Sequence, residues 1–143
     1  MSGERGQALV IAAILIGIGA LAIVGLRVVQ DRVLEEARAQ DAGEAAVEAA
    51  AAAIADRYVA HLDSLRARAF DVPHPTADVV GLLADAATRE AARAAAAEAA
   101  ARNGAAFDGP IDVRCVGRTI EIELRHAGRV HRAAIQADEC SRH

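Results

Sequence analysis

The sequence contains no lysine and no tryptophan, and it has only one tyrosine and two phenylalanines among 143 residues. Aromatic residues make up 2% of the chain although 54% of it is hydrophobic, so the apolar character comes mainly from alanine and aliphatic side chains. Alanine favours helix but buries little surface. The composition therefore excludes a large aromatic core and predicts helices packed closely around a small one.

The sequence also lacks a concentrated cluster of positive charge. All 16 basic residues are arginine, and the formal net charge is -4. Binding to a phosphate backbone requires a concentrated basic surface, which the sequence does not offer. We expect no nucleic-acid partner.

One long apolar run stands near the N-terminus. From Ala8 to Leu26 the run is unbroken, and Arg27 closes it. At about 1.5 Å per residue it covers close to the ~30 Å of a bilayer's hydrocarbon core. The run predicts a transmembrane helix over residues 8–29, preceded by a short leader-like segment, residues 1–7.

Three glycines lie inside this run, and two other interpretations of the run stay open. Small residues let another membrane helix approach closely, so we assign membrane packing to Gly17, Gly19 and Gly25, although such glycines are also ordinary membrane composition. One alternative is a buried helix of a soluble protein, but the domain offers few large apolar residues to surround it. The other is a secretory signal cleaved after Ala39, which would release a soluble binding domain.

The two cysteines bear on orientation. Arginines on both sides of the run leave the charge rule undecided. Cys115 and Cys140 are the only cysteines, and such a pair is expected to bond in an oxidising compartment. We therefore expect a single-pass protein of the cytoplasmic (inner) membrane, with its N-terminus inside and its C-terminal domain outside. Free cysteines on a cytoplasmic face are the alternative.

Helical spacing continues past the membrane run. It predicts a helical stalk over residues 30–69 that extends the membrane helix, ending at residues 70–75, where two prolines disfavour helix. The apolar positions that follow this spacing are Val29, Val33, Ala37, Val47, Ala51, Ile54, Tyr58, Leu62, Leu65 and Ala69. A second, alanine-rich helix is predicted over residues 76–103, with Gly104 at its C-terminal cap. Two i,i+4 ion pairs, Asp85 with Arg89 and Glu98 with Arg102, are expected to support it.

The pattern changes to strict alternation after Gly109. We predict a three-stranded antiparallel sheet over residues 109–140, with turns at 116–117 and 127–128. This register places Ile120 opposite Val113, and Ile122 opposite Ile111. On the other side it places the same two residues opposite Ile135 and Ala133, and it sets Glu123 opposite Arg132. Cys115 and Cys140 then lie at one end of the sheet. The predicted fold class is a membrane-anchored α+β protein.

No residues form a recognisable catalytic or metal constellation. Ser2, Ser64 and Ser141 have no base and acid in a known arrangement, and no glycine-rich phosphate loop is present. The predicted register puts His126 and His131 on opposite faces, and we expect both to be solvated. We therefore expect no enzyme activity, no metal, no cofactor and no small-molecule substrate.

The residues around the start of the apolar run resemble a known family. Residues 5–10 read Arg-Gly-Gln-Ala-Leu-Val and lead directly into the run, and residues 37–42 read Ala-Arg-Ala-Gln-Asp-Ala before an alanine stretch. These features resemble the TadE/TadG-like family of tight-adherence (Flp-type) pilus-assembly proteins, relatives of type IV pilins. The resemblance is at the level of motifs and covers residues 5 to about 57.

The resemblance implies a function and a processing site. In pilin-like relatives a membrane peptidase cuts after the glycine before the helix, here between Gly6 and Gln7. Processed members often carry glutamate five residues after the cut, where this chain has Ile11. The implied function is a minor pilin-like or accessory subunit of a tight-adherence pilus or secretion apparatus, in the membrane or in a surface filament. Its partners would be the bilayer and other pilus-assembly subunits, contacted through helix packing. The alternative is a membrane-tethered interaction or scaffold module unrelated to pili.

Overall fold

The computed structural model describes the backbone of residues 3–68 and 77–142, and the side chains of residues 14–68 and 77–141. The chain divides into two compact units, Met1–Ala37 and Arg38–His143. The predicted classes of element are confirmed: a long apolar N-terminal helix, a shorter helical region and a C-terminal three-stranded antiparallel sheet.

Helix α1 runs from Gly3 to Arg68 and contributes residues to both units. It continues through Gly43, because the surrounding alanine, glutamate and arginine residues are strong helix formers. The predicted segments 8–29 and 30–69 therefore share one helix, except that residue 69 lies outside the described residues. From Ala42 onward α1 contributes to the buried core of the second unit, so most of the predicted stalk is a core element of that unit.

The predicted single helix over residues 76–103 is instead two helices. Helix α2 spans Val79–Ala84 and helix α3 spans Ala86–Arg102. Asp85 separates them in an extended conformation, with φ -62° and ψ 134°. Its carboxylate accepts a hydrogen bond from the backbone N–H of Thr88 at 2.9 Å, as expected for an N-cap residue. The predicted start of this helix and the preceding turn, residues 70–76, lie outside the described residues.

The end of α3 follows the prediction. Gly104 has φ 76°, and the Ala105 N–H donates to the Ala100 carbonyl at 3.0 Å, which satisfies an orphan carbonyl of the last turn. The predicted i,i+4 ion pair between Glu98 and Arg102 is present at 3.3 Å. The predicted pairing of Asp85 with Arg89 is wrong, because the Arg89 guanidinium instead donates to a backbone carbonyl at the end of α2.

Three antiparallel strands follow in the order β1-β2-β3. They are β1 (Ile111–Val116), β2 (Thr119–His126) and β3 (Arg129–Gln136), and a short 3-10 helix, Asp138–Arg142, follows them. The predicted turn at residues 127–128 is confirmed, and both of its residues have positive φ, as a type I′ turn requires.

The first turn and the register that depends on it differ from the prediction. The turn lies at residues 117–118 rather than 116–117, and Gly117 has φ 60°, which suits the first central position of a type II′ turn. Ile120 therefore pairs with Cys115 instead of Val113. The shift is two residues, so the apolar side chains keep the same face. The register of β2 on β3 is confirmed, including Glu123 opposite Arg132.

The core of the second unit combines large aliphatic residues with alanines from the helices. The largest fully buried side chains are Ile54, Ile120, Ile122, Leu124 and Val79. Helix α3 contributes alanines to the same cluster, whereas α1 contributes alanines together with Val47, Ile54 and Tyr58. The alanines let helix backbones approach closely. Of the apolar positions with helical spacing in α1, Val47, Ile54 and Tyr58 are buried, and Ala51, Leu62 and Leu65 pack partly against them. Val29, Val33 and Ala37 are exposed instead, and Ala69 lies outside the described residues.

Candidate functional site

The first candidate site is the apolar segment, defined as residues 14–34 of α1. Every one of its residues is exposed, and it is long and apolar enough to cross a bilayer. Burying one large aliphatic side chain stabilises a protein by roughly 1.5–3 kcal/mol. A segment that exposes many of them is therefore more stable in an apolar environment than in water. Its exposed large side chains are Ile14, Leu15, Ile16, Ile18, Leu21, Ile23, Val24, Leu26, Val28, Val29, Val33 and Leu34.

The three glycines assigned to membrane packing lie within this apolar segment. A Cβ placed on Gly17, Gly19 or Gly25 would meet nothing within 4 Å, so nothing inside the chain requires glycine there. At about 100° per residue, Gly17 and Gly25 point roughly 80° apart, and Gly19 lies on the far side of the helix. The glycines therefore flatten two sides of the helix instead of forming one stripe.

The predicted processing site stays a prediction. Gly6 and Gln7 fall within the helical backbone of α1, but their side chains lie outside the described part of the chain. Residues 1–2 of the predicted leader-like segment are likewise not described.

The predicted disulfide is present and closes the second unit. Cys115 of β1 is bonded to Cys140 of the 3-10 helix, with their Cα atoms 5.4 Å apart and a sequence separation of 25. In the loop-closure account, a loop of this length stabilises the fold by about 3.5 kcal/mol. This contribution is large for a domain whose helices bury mostly alanine.

A hydrogen bond also connects the C-terminal 3-10 helix to α1. The Tyr58 hydroxyl donates a hydrogen bond to the Glu139 carboxylate. Burial of the Tyr58 ring, with the hydrogen bond to Glu139 and the negative charge there, raises the pKa of the phenol to about 12. Sequence analysis missed this contact because its partners are 81 residues apart and no local pattern links them.

The prediction for the two histidines is wrong. His131 pairs with Leu124, and His126 is two residues beyond Leu124 on the same strand, so both histidines lie on the inner face of the sheet. His131 is buried, and its Nε2 atom has no hydrogen-bond partner among the described residues. His126 is partly buried with its ring 6.3 Å from that of Phe107. A turn of two residues at 127–128 places His131 opposite Leu124, and residues 124 and 126 of one strand share a face.

Gly43 of α1 is the reason that His131 fits inside. A Cβ placed on Gly43 would lie 2.6 Å from the His131 Cε1 atom and 2.7 Å from its Cδ2 atom, well inside van der Waals contact. The imidazole therefore lies directly against the helix backbone. One signal of this approach is visible in the sequence, since Gly43 is an isolated glycine in an otherwise helical pattern.

The remaining polar groups of the second unit are used for structure. The Ser64 and Ser141 hydroxyls donate to the backbone carbonyls of His61 and Asp138, at 2.7 Å and 2.8 Å. On the outer face of the sheet, a hydrogen bond from Arg132 lowers the pKa of Glu123. Within residues 14–68 and 77–141, no three His, Cys, Asp or Glu side chains are grouped to hold a metal ion.

Comparisons with family models, with curated proteins and with solved structures find no match to this chain.

Proposed function

We propose that this chain is a minor pilin-like or accessory structural subunit of a tight-adherence pilus or a related secretion apparatus, anchored in the cytoplasmic membrane by α1. The observation that carries the proposal is the apolar segment, in which twelve large apolar side chains are exposed. A bilayer would remove this surface from water. The proposed family follows from residues 5–10, which precede this segment and resemble the N-terminal motif of pilin-like proteins.

The disulfide supports an orientation with the second unit outside the cytoplasm. Disulfides persist in oxidising compartments and are rare where thiol reductants are present. A bonded Cys115–Cys140 pair therefore favours an N-terminus inside and a C-terminal domain outside. Alkylation of intact cells tests this assignment: both thiols should react only after reduction, and reaction without a reductant would contradict it.

Assembly would occur through packing of the apolar segment with other membrane helices. The open surface around Gly17 and Gly25 leaves room for a neighbouring backbone, and close backbone approach is the main source of helix association in lipid. The partners proposed are the bilayer and other pilus-assembly subunits. The role is structural and includes no chemical step.

The N-terminal residue of the mature protein tests the pilin-like part of the proposal. The protein would be purified from its native membranes and analysed by N-terminal sequencing and intact mass. A start at Gln7 supports pilin-type processing and a place in a filament, and Gly6→Leu should then remain uncut. A start at Met1 or Ser2 supports a permanently anchored accessory subunit.

One observation favours a second candidate, a membrane-tethered scaffold module unrelated to pili. Ile11 occupies the position at which pilin-like members often have glutamate, whose buried carboxylate can pair with a neighbouring subunit's terminal amine. Isoleucine cannot make that pair. The genes around this one separate the two candidates, since a pilus ATPase and multi-pass platform proteins belong only to the first.

Cell fractionation tests the third interpretation, a soluble domain released by cleavage after Ala39. That interpretation predicts a chain that begins at Gln40 in the soluble extracytoplasmic fraction. Recovery of all the protein in membranes would exclude it.

A further inference from the structure

Strand β1 forms one edge of the sheet, and its hydrogen-bonding pattern follows from the adjacent turn. Val116 and Thr119 flank the two-residue turn, and such a flanking pair exchanges both of its backbone hydrogen bonds. The direction of the bonds then alternates along the strand. The N–H and C=O groups that point away from β2, toward the edge, are those of Ile111, Val113 and Cys115.

Among the described residues, this edge has no backbone hydrogen-bond partner, and its surroundings are apolar. No backbone hydrogen bond outside the helices and strands involves Ile111, Val113 or Cys115. A cleft of about 610 Å³ lies beside β1, and its walls include Leu83 of α2 together with Val113 and Cys115. Val80, which also lines the cleft, and Val116 at the end of β1 are 49% and 43% exposed. An unpaired edge of this kind is a template for another strand.

The sequence of β1 is complementary to itself. If a second β1 lies antiparallel with Val113 opposite Val113, then Asp112 of each strand lies opposite Arg114 of the other. The outward groups of Val113 make this central pair a hydrogen-bonded one, so the charged pairs fall at the closer, non-hydrogen-bonded sites, about 4.5 Å between Cα atoms. Cross-strand pairs of opposite charge stabilise a sheet.

We propose that β1 is the interface through which two copies of this chain associate, joining their sheets into one six-stranded antiparallel sheet. In the single chain, Arg114 contacts Glu121 at 3.3 Å and reaches Asp112 of its own strand only at 3.5 Å. In the dimer, Arg114 still contacts Glu121 of its own chain and also lies opposite Asp112 of the second copy.

A second copy fits this edge, whereas the opposite edge lacks the same complementarity. Strand β3 contains Arg129 and Arg132 and no acidic residue. A second copy of β3 paired with this strand would therefore place only positive side chains next to each other. A two-fold axis through Val113 makes the β1 interface isologous, and such interfaces close after two copies. The inner faces of both sheets then lie on one side, so both α2 helices border the same seam and cover Val80.

A charge-exchange series tests the interface in the full chain, held in detergent micelles with its disulfide intact. The dimer dissociation constant would be measured by sedimentation equilibrium for the wild type, Asp112→Arg, Arg114→Asp and the double variant. Each single change places like charges opposite each other at both symmetry-related pairs of residues 112 and 114. We expect the dimer dissociation constant to be about tenfold higher than that of the wild type. The double variant restores opposite charges and should return to the wild-type value.

The Asp112→Arg variant separates a lost interface from a lost fold. Within its own chain, residue 112 lies opposite Glu123, so arginine there improves the intrachain pairing while it opposes Arg114 of the other copy. If the chains associate through the apolar segment instead, all four proteins should have the same dissociation constant, because residues 112 and 114 both lie in the second unit. Equal dissociation constants, a monomeric wild type, or a double variant that does not recover would each overturn the proposal. Amide exchange gives a second readout, with Ile111, Val113 and Cys115 protected in the dimer only.

Discussion

Replacing Gly43 with alanine should destabilise the second unit, although alanine is normally the better helix residue. In a helix interior the change alone gains about 1 kcal/mol. Here the added Cβ meets the His131 ring at 2.6 Å and 2.7 Å, and overpacking a core costs typically about 1–3 kcal/mol. His131 is buried, so the ring cannot move freely away. We expect a net loss of about 1 kcal/mol.

The same substitution in a His131→Ala background is the matched control. With the ring removed, only the helix gain remains, so Gly43→Ala should then stabilise the unit by about 1 kcal/mol. The reversal of sign corresponds to a coupling between the two sites of about 2 kcal/mol, within the range for residues in direct contact.

Urea unfolding of the four proteins in detergent, followed by tyrosine fluorescence, measures this coupling. Tyr58 is the only tyrosine, and the chain has no tryptophan, so the signal reports the core of the second unit without interference from the apolar segment. Gly43→Ala that stabilises the wild-type background, or that has the same effect in both backgrounds, would refute the contact between α1 and His131.

Three further predictions test the disulfide, the Tyr58 hydrogen bond and the Asp85 cap, which stabilise the second unit. The Cys115→Ser, Cys140→Ser double variant should lose about 3.5 kcal/mol of unfolding free energy, and reduction of the wild type should produce the same shift in urea midpoint. Because the folded pKa of Tyr58 is raised to about 12, its contribution to stability should be complete below pH ~10 and be lost as the pH rises toward 12. Tyrosinate absorbance gives that pKa directly, and Tyr58→Phe should abolish this alkaline dependence. The hydrogen bond from the Thr88 N–H lowers the pKa of Asp85. Its contribution should therefore be present at neutral pH and fall as the pH drops through the folded pKa. Asp85→Ala should lower the melting temperature at pH 7 but not in acid, whereas Asp85→Asn, which can still cap α3, should keep it.

The features predicted well from the sequence were those with strong local periodicity. The uninterrupted apolar run and the helical spacing that follows it indicated α1, and strict alternation indicated the three strands. The 127–128 turn fixed the register of β2 on β3, because alanine-glycine there left one reasonable two-residue loop. Once that register was set, the cross-strand pair of Glu123 and Arg132 followed from it.

The sequence failed where two local signals competed. Val116-Gly117 and Gly117-Arg118 both contain the glycine that a tight turn needs, and the choice between them shifts the register of β1 by two residues. Asp85 could serve either as one member of an i,i+4 pair with Arg89 or as the N-cap of a new helix. In the structure Asp85 is the cap, and its carboxylate accepts from the Thr88 N–H, which has no intrahelical partner in a helix that begins at Ala86. The sequence Asp-Ala-Ala-Thr contains this signal, but the surrounding alanines mask it.

The contacts that could not be predicted join residues far apart in sequence, and they explain why a chain so poor in large side chains has a defined core. Alanine faces alone would let α1 slide along its own axis, since one methyl group packs much like the next. His131 against Gly43 and Tyr58 against Glu139 are each compatible with one position of the helix only. Moving α1 by one turn would place Val47, with its two methyl groups, in the position of Gly43 against the His131 ring. The sheet therefore fixes the position of α1 through a few bulky side chains, and the alanines allow the close approach that those contacts require.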